Sequence, residues 1–305
     1  MKYFKKNSFD SNNILIILLI CQPLMILIGP FFSDLNIIII SLIFITILIK
    51  NKIYNYFKFK IVVIFFIWCF YLIIISIFSD KPSLSLSSSL FFFRFGILAM
   101  CIWYFADINL HFKKYFLKFL YFLFIVIIFD ALFQYFVGFN FLGFNYDEYR
   151  LTGFFGKKQI LGSYLTRLFP IIIILFYFES NKTNNILLLI ITFFSGFLIL
   201  LSGERSALLM FLMYVFCYLF FLSSFKKNLI YFFALLFFLF GVIFTDQNIK
   251  ERIINHTFSS NQINLSGDKI NFFSKVHESL YSTSLEIFKD NIFFGIGTKM
   301  FRETC

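Results

Sequence analysis

The residues best suited to chemistry in this chain are a few arginines, carboxylates and amides set among long apolar runs. Arg94 sits about a third of the way into one run, Asp130 and Gln134 lie near the end of the next, and Arg167 begins a later one. Arg205 belongs to the polar turn Leu201-Ser202-Gly203-Glu204-Arg205-Ser206, and Arg150, Lys157, Lys158 and Gln159 fall in a stretch rich in glycine and aromatics. Ionisable groups surrounded by apolar sequence are costly unless they are paired, hydrated or functional. Read together at one membrane depth, these residues describe an outward-facing polar cavity. Each also has a plainer reading. Arg94 pairs with Asp130 in the bundle, Arg167 snorkels to headgroups, Glu204 neutralises Arg205 in a tight turn, and Lys157 and Lys158 are loop charges. Asp147, Glu148 and Arg150 form a compact charged cluster that a solvated loop would also explain.

Other chemistries find little support. Cys21, Cys69, Cys101 and Cys217 fall within apolar runs and Cys305 has no outer partner, so neither a disulfide framework nor metal-ligand spacing is visible. Glycines at 153, 156 and 162 suggest close backbone turns around a ligand or helix, but the GxxxxGK order of a phosphate-binding loop is absent. His111 lies beside Lys113 and Lys114 in what reads as a loop, and His256 in a polar stretch. His277 precedes a helical segment near 274–290 in which Tyr281, Leu285, Phe288 and Ile292 form an apolar stripe, as in a packed interfacial helix.

The elements that must position these groups are membrane helices. Among 305 residues, 60% are hydrophobic, 53 are Phe and only 14% are charged, with a mean hydropathy of +0.86. Soluble domains are about 45–50% apolar. Nine apolar runs, roughly 13–31, 36–50, 61–79, 87–107, 115–137, 163–179, 185–201, 206–222 and 228–245, are separated by short polar breaks. Most approach the ~17–25 residues needed to cross hydrocarbon, and none alternates as barrel strands do. The expected fold is an all-α polytopic transmembrane bundle of about nine spans. Residues 1–245 form the helical domain with an outer loop at 138–162, and 246–305 form an outer-face segment.

Between the first two runs, Gly29-Pro30 breaks the helix and Ser33-Asp34 supplies a polar turn. The lysines orient the spans. Lys2, Lys5, Lys6, Lys50, Lys52, Lys58, Lys60, Lys113, Lys114, Lys118, Lys182, Lys226 and Lys227 share one side; before residue 163 the other side receives only Lys81, Arg150, Lys157 and Lys158. The positive-inside rule then puts the amino terminus in the cytoplasm. It also accounts for the net charge of +11 as topology and not as a nucleic-acid footprint. The first run lacks a small-residue cleavage site and reads as a retained span.

Three segments carry a family resemblance. Arg150-Leu-Thr-Gly-Phe-Phe-Gly-Lys-Lys-Gln-Ile-Leu-Gly-Ser-Tyr164 resembles the outer-loop motif of the bacterial O-antigen ligases and O-antigen polymerases. Ser202-Gly203-Glu204-Arg205-Ser206-Ala207 approximates the family's arginine turn. Asp290-Asn291-Ile292-Phe293-Phe294-Gly295-Ile296-Gly297-Thr298-Lys299-Met300-Phe301 is similar to its Gly-x-Gly segment. The match covers roughly residues 60–305. It departs from the family where Lys158-Gln159 replaces an asparagine, Glu204 a small residue and Ile292 a proline. The family's outer-loop histidine and the spans after it have no counterpart before Cys305, so the chain reads as a carboxy-terminally truncated member.

The resemblance implies metal-independent glycan transfer on the outer face of the cell inner membrane, without a cofactor. The donor would be an undecaprenyl-diphosphate-linked glycan, and the acceptor lipid A-core or another lipid-linked repeat unit. Arg150 and Arg205 would serve as catalytic groups, because a guanidinium fork binds phosphate oxygens in pairs and stabilises the charge on a leaving diphosphate. Arg94, Arg167, Lys157, Lys158 and Gln159 would help to bind substrate, and a histidine beyond residue 305 would act as base. A transporter or flippase of lipid-linked glycans also needs many spans and a cationic cavity, and is the competing reading.

Overall fold

The computed structural model describes residues 9–146, 150–179, 185–222, 225–245, 250 and 275–305. In chain order the helices are α1 (Phe9–Ile28), α2 (Pro30–Asn51), α3 (Lys60–Ile77), α4 (Pro82–Ser89), α5 (Phe93–Ile108), α6 (Leu110–Val137), α7 (Leu161–Glu179), α8 (Asn185–Leu201), α9 (Arg205–Cys217), α10 (Phe225–Thr245), α11 (Lys275–Asp290) and α12 (Phe301–Thr304). Short 3₁₀ turns occupy Asn55–Lys58 and Gly153–Phe155, and a π-helical turn, Tyr218–Leu222, extends α9. Five segments are long and apolar enough to cross a bilayer: Pro30–Asn51, Lys60–Ile77, Pro82–Ile108, His111–Val137 and Leu161–Glu179. Four apolar helices are shorter, Asn12–Ile28, Ile186–Leu201, Arg205–Phe221 and Phe233–Thr245. The protein is a multi-pass, all-α membrane bundle. Backbone groups bonded within each helix are what hydrocarbon demands, and dozens of exposed Phe, Ile and Leu side chains are then lipid-facing.

The chain divides into two compact units, Met1–Asn109 with Ser260–Cys305, and Leu110–Ser259. In the first, α1 ends at Gly29, whose φ of +156° suits glycine, and Pro30 opens α2 where a missing N–H costs nothing. Ser33 and Asp34, expected as a turn, therefore lie inside α2. Their polarity is used between helices. Gln22 of α1 donates to Ser33 Oγ at 3.0 Å, and buried Asn36 donates to the Leu18 carbonyl at 3.0 Å. The apolar face of α2, including Ile40, Phe44 and Ile47, packs on Ile97, Met100, Cys101 and Tyr104 of α5. α3 is peripheral: only 22% of its apolar window is buried, against 61% for α7.

Two expected boundaries shift. The fourth run breaks at Leu90–Phe92 into α4 and α5, so Arg94 stands at the start of α5, near the middle of the apolar segment Pro82–Ile108. α6 begins at Leu110, so His111, Lys113 and Lys114 ride on a helix where a loop was expected. Lys113 lies 5.1 Å from the centre of the Phe178 ring at the far end of α7.

In the second unit, α6, α7, α8 and α9 pack through Leu120, Phe124, Leu165, Phe169, Ile191, Leu198 and Phe211, all essentially inaccessible. The Phe169 and Phe211 rings are 4.7 Å apart. Lys2, Lys5, Lys6, Lys182, Asp147, Glu148 and His256 lie outside the described residues, and the side chain of His277 is likewise not described.

Candidate functional site

The carboxy-terminal end of α6 is polar for a reason internal to the fold. Asp130 and Gln134 are fully buried and face the loop that follows their own helix. Asp130 accepts from the Phe141 amide at 3.1 Å and from Asn140 Nδ2 at 3.5 Å. Gln134 Oε1 accepts from the amides of Gly153 at 2.7 Å and Thr152 at 3.3 Å, while its Nε2 donates to the Phe144 carbonyl at 3.1 Å. Asn140, 1% exposed, completes the knot. Its Nδ2 donates to the Gly153 carbonyl at 2.9 Å, and its Oδ1 accepts from the amides of Leu142 and Phe144. The loop is thus wound into a small hairpin, closed by the Phe139–Asn145 bridge. At Gly153, with φ +53°, an added Cβ would come within 3.3 Å of Asp130 Oδ2.

The sequence pairing of Arg94 with Asp130 is not formed. Arg94 belongs to the first unit, where its guanidinium meets Asp34 at 3.0 Å and lies 5.1 Å from the Phe95 ring centre. Asp130 is occupied by Asn140 and the Phe141 amide. Neither Asp130 nor Gln134 lines an open cavity; both are consumed in holding the loop.

The other expected site residues converge on that same end of the second unit. The Leu151 amide bonds the Leu201 carbonyl at 3.2 Å, which sets Arg150 beside the end of α8. Glu204, expected to neutralise Arg205, reaches the start of α7. It accepts from the Gly162 amide at 2.8 Å and the Ser163 amide at 3.0 Å, and from the Ser163 hydroxyl. Helix starts leave amides unsatisfied and carry partial positive charge, so a carboxylate there serves as hydrogen-bond acceptor and counter-charge together. Gly162 permits the approach, because a Cβ would lie 2.4 Å from Ser202 Oγ.

Lys157, Lys158 and Gln159 lead into α7 and are exposed, as are Arg167 on its second turn and Arg205, the first residue of α9. Arg150 is half-buried. The structure therefore brings Arg150, Lys157, Lys158, Gln159, Arg167 and Arg205 to one end of one unit, while Arg94 sits in the other. Sequence reasoning missed Asn140 and the capping role of Glu204, and the only available signal was an asparagine between glycines. Among the described residues, no group of three or more His, Cys, Asp and Glu side chains is arranged to hold a metal ion. No family model matches the chain, and no curated protein or solved structure matches it.

Proposed function

We propose that this protein transfers a glycan from an undecaprenyl-diphosphate-linked donor to lipid A-core or another lipid-linked repeat unit, at the outer face of the cell inner membrane. The supporting observation is the gathering of Arg150, Lys157, Lys158, Arg167 and Arg205 at the end of the unit where Glu204 caps α7 and Asp130 and Gln134 pin the loop. On this reading the shorter apolar helices also cross, giving nine spans with a cytoplasmic amino terminus. Arg150 and Arg205 engage the diphosphate. An acceptor hydroxyl attacks the anomeric carbon, the bond to the diphosphate oxygen breaks, and undecaprenyl diphosphate leaves with the bond's electron pair. The hydroxyl proton passes to a base, which the family resemblance assigns to a histidine. Fixed guanidinium groups are preorganised for the charge that develops on the leaving group. The resemblance of residues 150–164, 202–207 and 290–301 to the ligase and polymerase family is the second support.

The test uses the purified chain in lipid nanodiscs with undecaprenyl diphosphate as probe. Replacing arginine by lysine keeps the charge but removes the paired donors. Arg150→Lys and Arg205→Lys are each expected to weaken binding about tenfold, equivalent to ~1.4 kcal/mol. Unchanged affinity in both variants would return these arginines to topology or packing. Movement of an intact lipid-linked glycan across a vesicle bilayer, with no new glycosidic bond, would favour the flippase reading.

A further inference from the structure

The residues from α11 to Cys305 are not used by the site above. They belong to the first unit and are held to it at several points. The Tyr71 hydroxyl, on the membrane-spanning helix α3, donates to the Phe293 carbonyl at 3.3 Å. Thr298 Oγ1 donates to the Ser85 carbonyl at 2.8 Å, and Lys81 pairs with Glu303. Residues Asn291, Phe294, Gly295 and Ile296 close a cavity of about 350 Å³ against Ile74, Ile75, Phe78, Ser79 and Asp80. The carboxy-terminal end of α11 is thereby fixed near the end of a spanning helix, about two turns from its terminus. At 1.5 Å per residue Tyr71 lies ~9 Å inside the end of α3, within the ~5–10 Å to which an in-plane helix sinks its apolar face.

The helix itself is two-sided. Leu285 and Phe288 lie on one line of α11, Ile292 continues it, and all three are more than half exposed; Phe293 and Phe294 are 84% and 71% exposed. Ser279, Thr283, Glu286 and Asp290 fall on the opposite side at about 100° per residue. With 16 residues, α11 is about 24 Å long at 1.5 Å per residue, shorter than the ~30 Å hydrocarbon core. It also carries Glu278, Glu286, Lys289 and Asp290. A short helix with an apolar face and a charged face lies in the interface plane.

We propose that α11 is an in-plane membrane anchor. Its Leu285–Phe288–Ile292 face, with Phe293 and Phe294, is seated in the lipid at the level where α3 leaves the bilayer. The occupant of this apolar face is lipid, because the Tyr71 bond makes the face continuous with the surface of a spanning helix. The apolar contact supplies the binding, since Glu286 and Asp290 on the polar side offer no attraction to anionic headgroups. The anchor is independent of the glycan-transfer reading and holds the Gly295–Gly297 segment at the membrane surface whatever that segment does.

Spin labels report the environment directly. After the native cysteines are replaced, single cysteines at Leu285, Phe288, Ser279 and Glu286 are labelled in the full chain, reconstituted in phosphatidylcholine vesicles. Collision with oxygen, which concentrates in lipid, is compared with collision with a water-soluble nickel chelate. The expected oxygen-to-nickel ratio exceeds one at 285 and 288 and falls below one at 279 and 286. Nickel-dominated collision at all four positions would place the helix in water and overturn the anchor. Exclusion of both reagents at 285 and 288 would mean that protein, such as a second copy of the chain, covers the face, and would equally overturn it.

Discussion

Arg94 was legible as a charge needing a partner, but its partner was not. The sequence reading gave two breakers to the first turn, Gly29-Pro30 and Ser33-Asp34, and so removed Asp34 from the helix. One glycine at φ +156° suffices, and Asp34 then faces α5. Gly162 shows the same dependence on tertiary detail: its spacing implied close approach, and the structure supplies the neighbour, Ser202 Oγ at 2.4 Å from a would-be Cβ. Gly162→Ala is expected to cost ~1–3 kcal/mol, the usual range for overpacking, seen as a lower melting temperature in detergent. Adding Ser202→Ala should recover part of it. At Tyr56, burial and then the hydrogen bond to Asp107, 3.1 Å long, push the phenol up to about 12. A raised phenol pKa means this contact's contribution is complete below the ordinary tyrosine value near 10 and is lost as pH rises through 12. The tyrosinate absorbance difference between the protein and Tyr56→Phe should therefore develop near pH 12, and development near 10 would remove the assigned coupling.

At the scale of elements, the apolar runs were easy to read because hydrocarbon allows few alternatives, whereas the loop at 138–156 was not. Its fold depends on polar atoms of α6, ten to nineteen residues earlier, meeting backbone groups with no sequence period to announce them. Asp130 and Gln134 looked like cavity residues because buried polar groups in spans often are functional; here their hydrogen-bonding capacity is spent on the loop. Gln134→Leu preserves bulk but strands the amides of Thr152 and Gly153. Each stranded buried group costs ~1–3 kcal/mol. Amide hydrogen exchange in 138–156 should accelerate at least tenfold, while α2 and α5 keep their protection. Unchanged exchange in the loop would show that Gln134 does not hold it. Arg150 is delivered by this loop, so the same variant should weaken diphosphate binding without touching any charged residue.

For the whole molecule, what the sequence could not reveal is the division at Asn109. α5 and α6 are separated by that one residue, leaving no glycine, proline or serine run to read as a linker. Topology is more accessible, because it depends only on how many crossings lie between two points. Between Lys52 and Arg150 the chain passes through α3, the α4–α5 pair and α6, an odd number of apolar crossings. Between Arg150 and Arg205 it passes through α7 and α8, an even number. Residues 52 and 150 should therefore lie on opposite faces and 150 and 205 on the same face. On the positive-inside rule, the lysine excess on the Lys50–Lys60 side predicts that this side is cytoplasmic. With the native cysteines replaced, Lys52→Cys, Arg150→Cys and Arg205→Cys would each be exposed in intact cells to a membrane-impermeant maleimide. Labelling is expected at 150 and 205, and at 52 only after the membrane is opened. Labelling at 52 with protection at the other two would invert the orientation while keeping the crossings. Labelling of 150 without 205 would mean that α7 and α8 do not form a complete return, and the two arginines could not then serve one diphosphate from one side.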